Sequence, residues 1–302
     1  MKCKDNGIKP ILGVEAYVAP RTHKDKQPRI DQAAYHMVLL AKNLEGYKNL
    51  LKLTTIAAID GYYYKPRIDR DLLMQYQEGI IATSACLGSE ICTHLRKGDY
   101  NTARDAAGFY RDLFGEGNYY IELQNHSLEE QKLVNEDLLK IAKELKLPII
   151  CSNDVHYLGR QDAEAHDILL CIGTGSTVSD PNRLKYATQE FYLKSEQEMR
   201  DLFPQHQQAV EQTLEIAEKC NVELEFGRCP MPSPGIPDGL SPHDYLTKLS
   251  YEGMERRYNG NAPQKIKDRL EYELGIIQKT GFSQYILIVR DFASFARDNG
   301  IF

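Results

Sequence analysis

The chain has 302 residues, of which 42% are hydrophobic and 26% charged, an ordinary globular balance with room for one large domain or two smaller ones. With 37 basic against 43 acidic side chains its net charge is −6, which argues against a nucleic-acid glove along the whole surface, because phosphate binding draws on excess Lys and Arg. No run approaches the roughly 18 apolar residues of a membrane helix, and the opening MKCKDNGIKP has no apolar signal region, so a cytoplasmic protein is expected.

In chain order, short apolar runs alternate with helical periodicity up to about residue 225. Strands are predicted at 11–18, 36–41, 79–83, 119–123, 147–152 and 191–194, and amphipathic helices at 44–58, 90–95, 101–114 and 128–145. Such alternation implies an α/β fold with a mainly parallel sheet or a barrel. The run LPIICS is apolar on both faces, as a strand covered on both sides should be. The character changes after Cys220. The stretch RCPMPSPGIPDG, 228–239, holds four of the thirteen prolines and reads as a linker. Beyond it the pattern is helical only. Ser241 and Pro242 open a run to Tyr258 as N-cap and first helical residue, followed by helices at 265–279 and 285–298. The last residues, Ile301 and Phe302, follow a helix-ending Asn299-Gly300, a pattern that fits a cut as well as a natural end.

Seven cysteines (Cys3, Cys86, Cys92, Cys151, Cys171, Cys220, Cys229) form no CxxC pair, so neither a disulfide framework nor a zinc finger is expected. The sharpest local signal for chemistry is NDVHYL, 153–158, directly after a buried strand. In extended backbone Asp154 and His156 would point to one side. A carboxylate and an imidazole at the C-terminal end of a parallel strand lie where barrels and open sheets keep their sites. Asp-x-His suits zinc, manganese or iron. The motif alone reads equally as Asp154 capping the next turn and His156 packing on the surface.

Other metal-capable side chains also fall at strand edges. Glu15 interrupts the apolar run ILGVEAYVA and needs a partner or a metal, a rim salt bridge being the bland choice. His36 opens a strand, which suits a satisfied core histidine and fits awkwardly with a site at strand C-termini. Cys86 follows a strand in GIIATSACLGSE and, taken alone, reads as a buried thiol; His126 and His166 read as structural. The 62–64 Tyr run beside Lys65 and Arg67 could stack bases, though loop packing is its commoner role. There is no P-loop, no GxSxG and no HExxH, and GTGS at 173–176 lacks a dinucleotide-binding setting.

Taken in order, GIKPILGVEAYVAP, HMVLLAKNLEGYKNLLKL, GIIATSACLGSEI, YYIELQNH and CSNDVHYLGRQDAEAHDILLCIGTG resemble the PHP (polymerase and histidinol phosphatase) domain of the bacterial DNA polymerase III alpha subunits. EIAEKCNVELEFG resembles that domain's closing segment, and RLEYELGIIQKTGFSQYILIVRDFASFARDNGI the start of the polymerase palm. The resemblance implies a PHP-type distorted (β/α)7 barrel lacking its first strand or strands in residues 1–228, a linker at 229–240, and the first palm helices at 241–302. It implies a cluster of up to three metals, whose later ligands match Glu15, His36, Cys86, Asp154 and His156. Zinc is the expected ion, with manganese or iron as alternatives, and metal-assisted 3′–5′ exonuclease activity is the chemistry such a cluster can support.

The family's opening His-x-His and its next two ligands are missing, so an internal fragment is expected. The polymerase carboxylates and their Mg²⁺ would lie beyond Phe302, leaving no catalytic residue in this chain. The implied partners are a DNA primer-template, deoxynucleotides, a proofreading subunit and a sliding clamp. The competing readings are a standalone PHP phosphoesterase, which would have no need of the helices after Gly239, and a non-catalytic scaffold.

Overall fold

The computed structural model describes residues 2–225, 227, 231–232 and 234–301. The chain divides into two compact units, residues 1–224 and 225–302. The Pro-rich stretch read as a linker falls partly outside the described residues, as do Arg228, Cys229, Pro230 and Ser233 within it.

The first unit opens with a single helical turn, α1 (Lys2–Asp5), and strands β1 (Gly13–Val18) and β2 (Tyr35–Ala41). Helix α2 (Leu44–Ile59), the two-residue strand β3 (Arg67–Ile68), α3 (Arg70–Tyr76) and β4 (Ile80–Thr83) follow. Then come α4 (Glu90–Arg96), α5 (Tyr100–Phe114), β5 (Tyr119–Gln124), α6 (Glu129–Leu145) and β6 (Ile149–Ser152). Helices α7 (Ala163–Thr174), α8 (Glu196–Leu202) and α9 (Gln207–Lys219) complete it. Four of these helices start where the sequence supplies a side-chain oxygen for an unpaired amide. Asn43, Asp69, Ser89 and Asp99 cap α2, α3, α4 and α5, each accepting from a backbone N–H three residues on.

Among the described residues, six strands form one sheet in the order β3-β1-β2-β4-β5-β6. Strand β2 runs antiparallel to both of its neighbours, while β3 with β1, β4 with β5 and β5 with β6 pair parallel. Among the described residues no ladder joins β6 back to β3, so the sheet as paired is open. The expected strand at 191–194 is reduced to one bridge, Tyr157 with Tyr192. Its neighbouring backbone is taken by side chains, since Asn153 Nδ2 donates to the Tyr192 carbonyl (2.6 Å) and Lys194 Nζ to that of Glu190 (2.5 Å).

Alternation along the strands separates two faces. Val14, Ala16, Val18, Met37, Leu39, Ala41, Ile80, Ala82, Tyr119, Ile121, Leu123 and Cys151 pack with the helices in the main core. The opposite face is layered. Towards one end it is apolar, with Leu40, Ile81, Tyr120 and Ile150 packing on Ile216 and Cys220 at the end of α9. Towards the C-terminal ends of the parallel strands it turns polar, with Thr83, Glu122, Gln124 and Ser152 in one hydrogen-bonded group. A polar end on an otherwise buried sheet face is where a site is to be sought.

The second unit consists of α10 (Pro242–Tyr258), α11 (Gln264–Thr280) and α12 (Ser283–Asp298). Ser241 caps α10, accepting from the Asp244 N–H at 3.1 Å. Gly281, at φ 77°, ends α11 in the left-handed conformation that glycine adopts without strain. Leu246, Leu274 and Leu287 form its buried centre. No helix among the described residues is long and apolar enough to cross a membrane.

Candidate metal centre

The reversed direction of β2 explains an apparent misfit. His36 stands near the start of its strand, yet β2 is antiparallel to β1 and β4, so that start lies at the edge where β1 and β4 end. His36 pairs with Tyr17, and Glu15, two residues before Tyr17, shares its face. Glu15 therefore sits within β1 and reaches diagonally to His36, with Oε1 2.8 Å from Nδ1. Cys86 arrives from the turn after β4, its Sγ 3.4 Å from the same nitrogen and accepting the Gly88 N–H at 3.4 Å. The Tyr17 ring packs edge-on against the imidazole at 5.2 Å. Gly88 backs it closely, since a Cβ there would stand 3.2 Å from Nδ1.

Among the described residues, Glu15, His36 and Cys86 form a group whose potential ligand atoms all lie within 4.8 Å of one another. Hydrogen bonds to Cys86 first, then to Glu15, hold the His36 imidazolium up to about 10. The reciprocal bond from His36 holds the Glu15 carboxyl below its ordinary value against the opposing effect of burial. The two shifts agree: a proton resides at this nitrogen, and a cation would compete with it. One oxygen, one nitrogen and one sulfur at this spacing fit zinc, which takes all three donors.

Asp154 and His156 stand outside this group of three. Strand β6 ends at Ser152, and Asp154 turns the backbone left-handed at φ 42°, so the extended geometry expected for Asp-x-His does not hold. Both are nonetheless felt at the group: His156 lowers the Glu15 carboxyl. Burial raises that of Asp154, opposed by His156 and reinforced by the charge of Glu15. The His156 Nδ1–H donates to the Asp154 carbonyl at 2.7 Å, so Nε2 is the ring nitrogen outside that bond. The exposed His156 ring lies among His166, Tyr186 and Phe191 at 5.8, 4.9 and 5.6 Å.

His126 is a core residue. Its backbone N–H donates to Gln131 Oε1 (2.6 Å), which orients the amide so that Nε2 donates to His126 Nδ1 (3.0 Å). The other ring nitrogen then donates to the Asn153 carbonyl (2.8 Å), and the ring stacks on Phe191 at 4.0 Å. Sequence reasoning passed over Glu122, a carboxylate 6% exposed at the polar end of the inner face. The signal was available in YYIELQ, a run with apolar residues on both faces, which marks a strand covered on both sides.

Comparison with known proteins adds an independent line. Residues 1–126 match the PHP domain model, and residues 244–302 match that of the bacterial DNA polymerase III alpha NTPase domain. The chain is 46% identical over 99% of its length to a DNA polymerase III subunit alpha of Borreliella burgdorferi, covering 26% of that protein. It is 44% identical over 99% to that of Treponema pallidum, again covering 26%, and 35% identical over 99% to that of Campylobacter jejuni, covering 27%. The chain thus spans about a quarter of the length of the curated relatives it matches. Two family matches in this order, with identity running over 99% of the chain, make it similar to a part of the bacterial DNA polymerase III alpha subunits.

Proposed function

We propose that the protein carrying this chain is the catalytic alpha subunit of a replicative DNA polymerase, which adds deoxynucleotides to a DNA primer-template in the cytoplasm. The observation that carries this reading is the 46% identity over 99% of the chain, alongside the two matched regions. It also disfavours a standalone PHP phosphoesterase, which would not share the region of residues 244–302. The polymerase carboxylates and their Mg²⁺ belong outside residues 1–302, and a proofreading subunit and a sliding clamp are the partners of the whole protein. The test is primer extension by the intact protein with deoxynucleotides and Mg²⁺. Absence of template-directed incorporation would overturn the reading.

Within that protein we assign residues 1–228 to the PHP domain, 229–240 to a linker and 241–302 to the first palm helices. The six-stranded sheet is read as the larger part of a distorted (β/α)7 barrel. Glu15, His36 and Cys86 are read as metal ligands, with Asp154 and His156 closing the set from the end of β6. Zinc is the ion their donors favour, ahead of manganese or iron. When bound, it supplies Lewis acidity and a hydroxide at neutral pH, the chemistry of 3′–5′ phosphodiester hydrolysis. His36 and Glu15 hold the proton that metal uptake must release, and Cys86 supplies the soft donor. Elemental analysis of the intact protein and of its Asp154→Ala/His156→Ala variant is the check, with metal expected in the first and lost in the second. An intact protein purified without metal, and no less stable in chelator, would leave a scaffold role.

A further inference from the structure

Glu122 occupies the middle of the polar end of the sheet, on β5 between β4 and β6. It is 6% exposed, and among the described residues its carboxylate is met by neutral donors. Oε2 accepts from the Thr83 hydroxyl; Oε1 accepts from the Ser152 hydroxyl and, at 3.0 Å, from Gln124 Nε2. Its backbone N–H donates to Ser84 Oγ at 2.9 Å, and Thr83 Oγ1 also accepts the Ala85 N–H at 3.2 Å. One carboxylate therefore ties together the last residues of β4 and β6. Thr83 lies three residues before Cys86, and Ser152 two before Asp154.

Neutral donors satisfy the oxygens but supply no opposite charge, and a buried carboxylate without one is costly. We propose that Glu122 is a positioning residue for the metal centre. It sets the spacing of the strand ends that carry Cys86 and Asp154, and its uncompensated negative charge favours a cation bound above it. This rests on the metal reading of Glu15, His36 and Cys86. It differs from a core role in one respect: a polar group kept only for packing would matter for stability and not for metal affinity.

The experiment is a zinc titration of the intact protein against a chromophoric chelator, with melting of the metal-free form alongside. Glu122→Gln keeps shape and removes the charge. It is expected to weaken zinc about 10- to 100-fold, the usual range for outer partners of metal ligands, while metal-free melting stays level or rises. Thr83→Val and Ser152→Ala keep the charge and cut one tether each, and both are expected to bind zinc more weakly than wild type. Wild-type affinity in Glu122→Gln, with lowered metal-free melting, would overturn the proposal and leave the metal site standing. Should Glu122→Gln fail to fold, unchanged affinity in both tether variants would do the same. A wild-type protein that takes up no zinc would overturn the metal reading and this proposal together.

Discussion

Arg67 shows how a charged side chain can be a core residue. It is wholly buried, and its guanidinium serves backbone carbonyls in place of a carboxylate. Nη1 donates to Asp31 (2.8 Å), Nη2 to Asp25 (2.8 Å) and His23 (3.1 Å), and Nε to Gly61 (3.1 Å), with the Tyr63 ring 5.2 Å from its centre. The bonds to His23, Asp25 and Asp31 pin the long connection between β1 and β2, which carries no strand or helix of its own. Lysine offers one ammonium in place of a planar fork. Arg67→Lys is therefore expected to strand at least one buried carbonyl and to cost about 3 kcal/mol, read as a lower urea midpoint at unchanged slope. The thiols give a second residue-scale test. Burial pushes Cys92 and Cys151 up to about 12, whereas Cys3 is exposed and Cys86 half-buried. Iodoacetamide at pH 8 should label Cys3 readily and leave Cys92 and Cys151 unmodified in the native protein; mass spectrometry decides, and early labelling of either buried thiol would contradict this packing. None of this burial was legible in KPRID, because a lone Arg in a loop sequence announces neither depth nor partners. Glu122 had only its place in the apolar run YYIELQ to mark its depth and nothing to name its partners, whereas His36 and Cys86 could be singled out by residue type and strand edge.

Elements were more readable than the contacts between them. Among the described residues, five of the six strands coincide with apolar runs, and β4 and β5 are buried at every residue, as strands covered on both faces are. Strand β3 has only two residues, Arg67 and Ile68, and no run to betray it. The antiparallel direction of β2 was also invisible, because strand direction is set by distant pairing and leaves no local pattern. It is what brings His36 to Glu15 and Cys86. Close approach is likewise hidden in sequence: Gly46, in the first turn of α2, lies so near Gly79 that a Cβ would stand 1.9 Å from its carbonyl oxygen. Backbone meets backbone there, so α2 itself would have to move. Gly46→Ala is expected to lose about 2 kcal/mol despite the better helix propensity of alanine, measured by thermal unfolding. At α8, Glu198 accepts from the Ser195 N–H and the Tyr192 hydroxyl, which hold its carboxyl down at about 2. The folded value lies below the ordinary 4.5, so this cap stabilises fully above that pH and fails as pH falls towards 2. Carboxyl NMR titration should show the low midpoint, and Tyr192→Phe should raise it.

At the scale of the molecule, the two units differ in how a metal would act on them. All five proposed ligands belong to residues 15–156, within the first unit. An ion that binds the folded form alone stabilises it by mass action, by about 2.7 kcal/mol at a hundredfold excess over Kd. The gain should appear where ligands tie chain ends together. Zinc added to the metal-free intact protein is therefore expected to slow amide exchange in residues 84–88 and 153–156, and in β4 and β6 behind them. Exchange in Pro242–Tyr258, Gln264–Thr280 and Ser283–Asp298 should stay as it was, and chelator should reverse the change. Zinc bound at the proposed ligands would have to displace the proton between His36 and Glu15, so protection at fixed zinc should weaken as pH is lowered. Protection that spread equally into the three helices of the second unit, or that ignored pH, would place the ion elsewhere than at the polar end of this sheet.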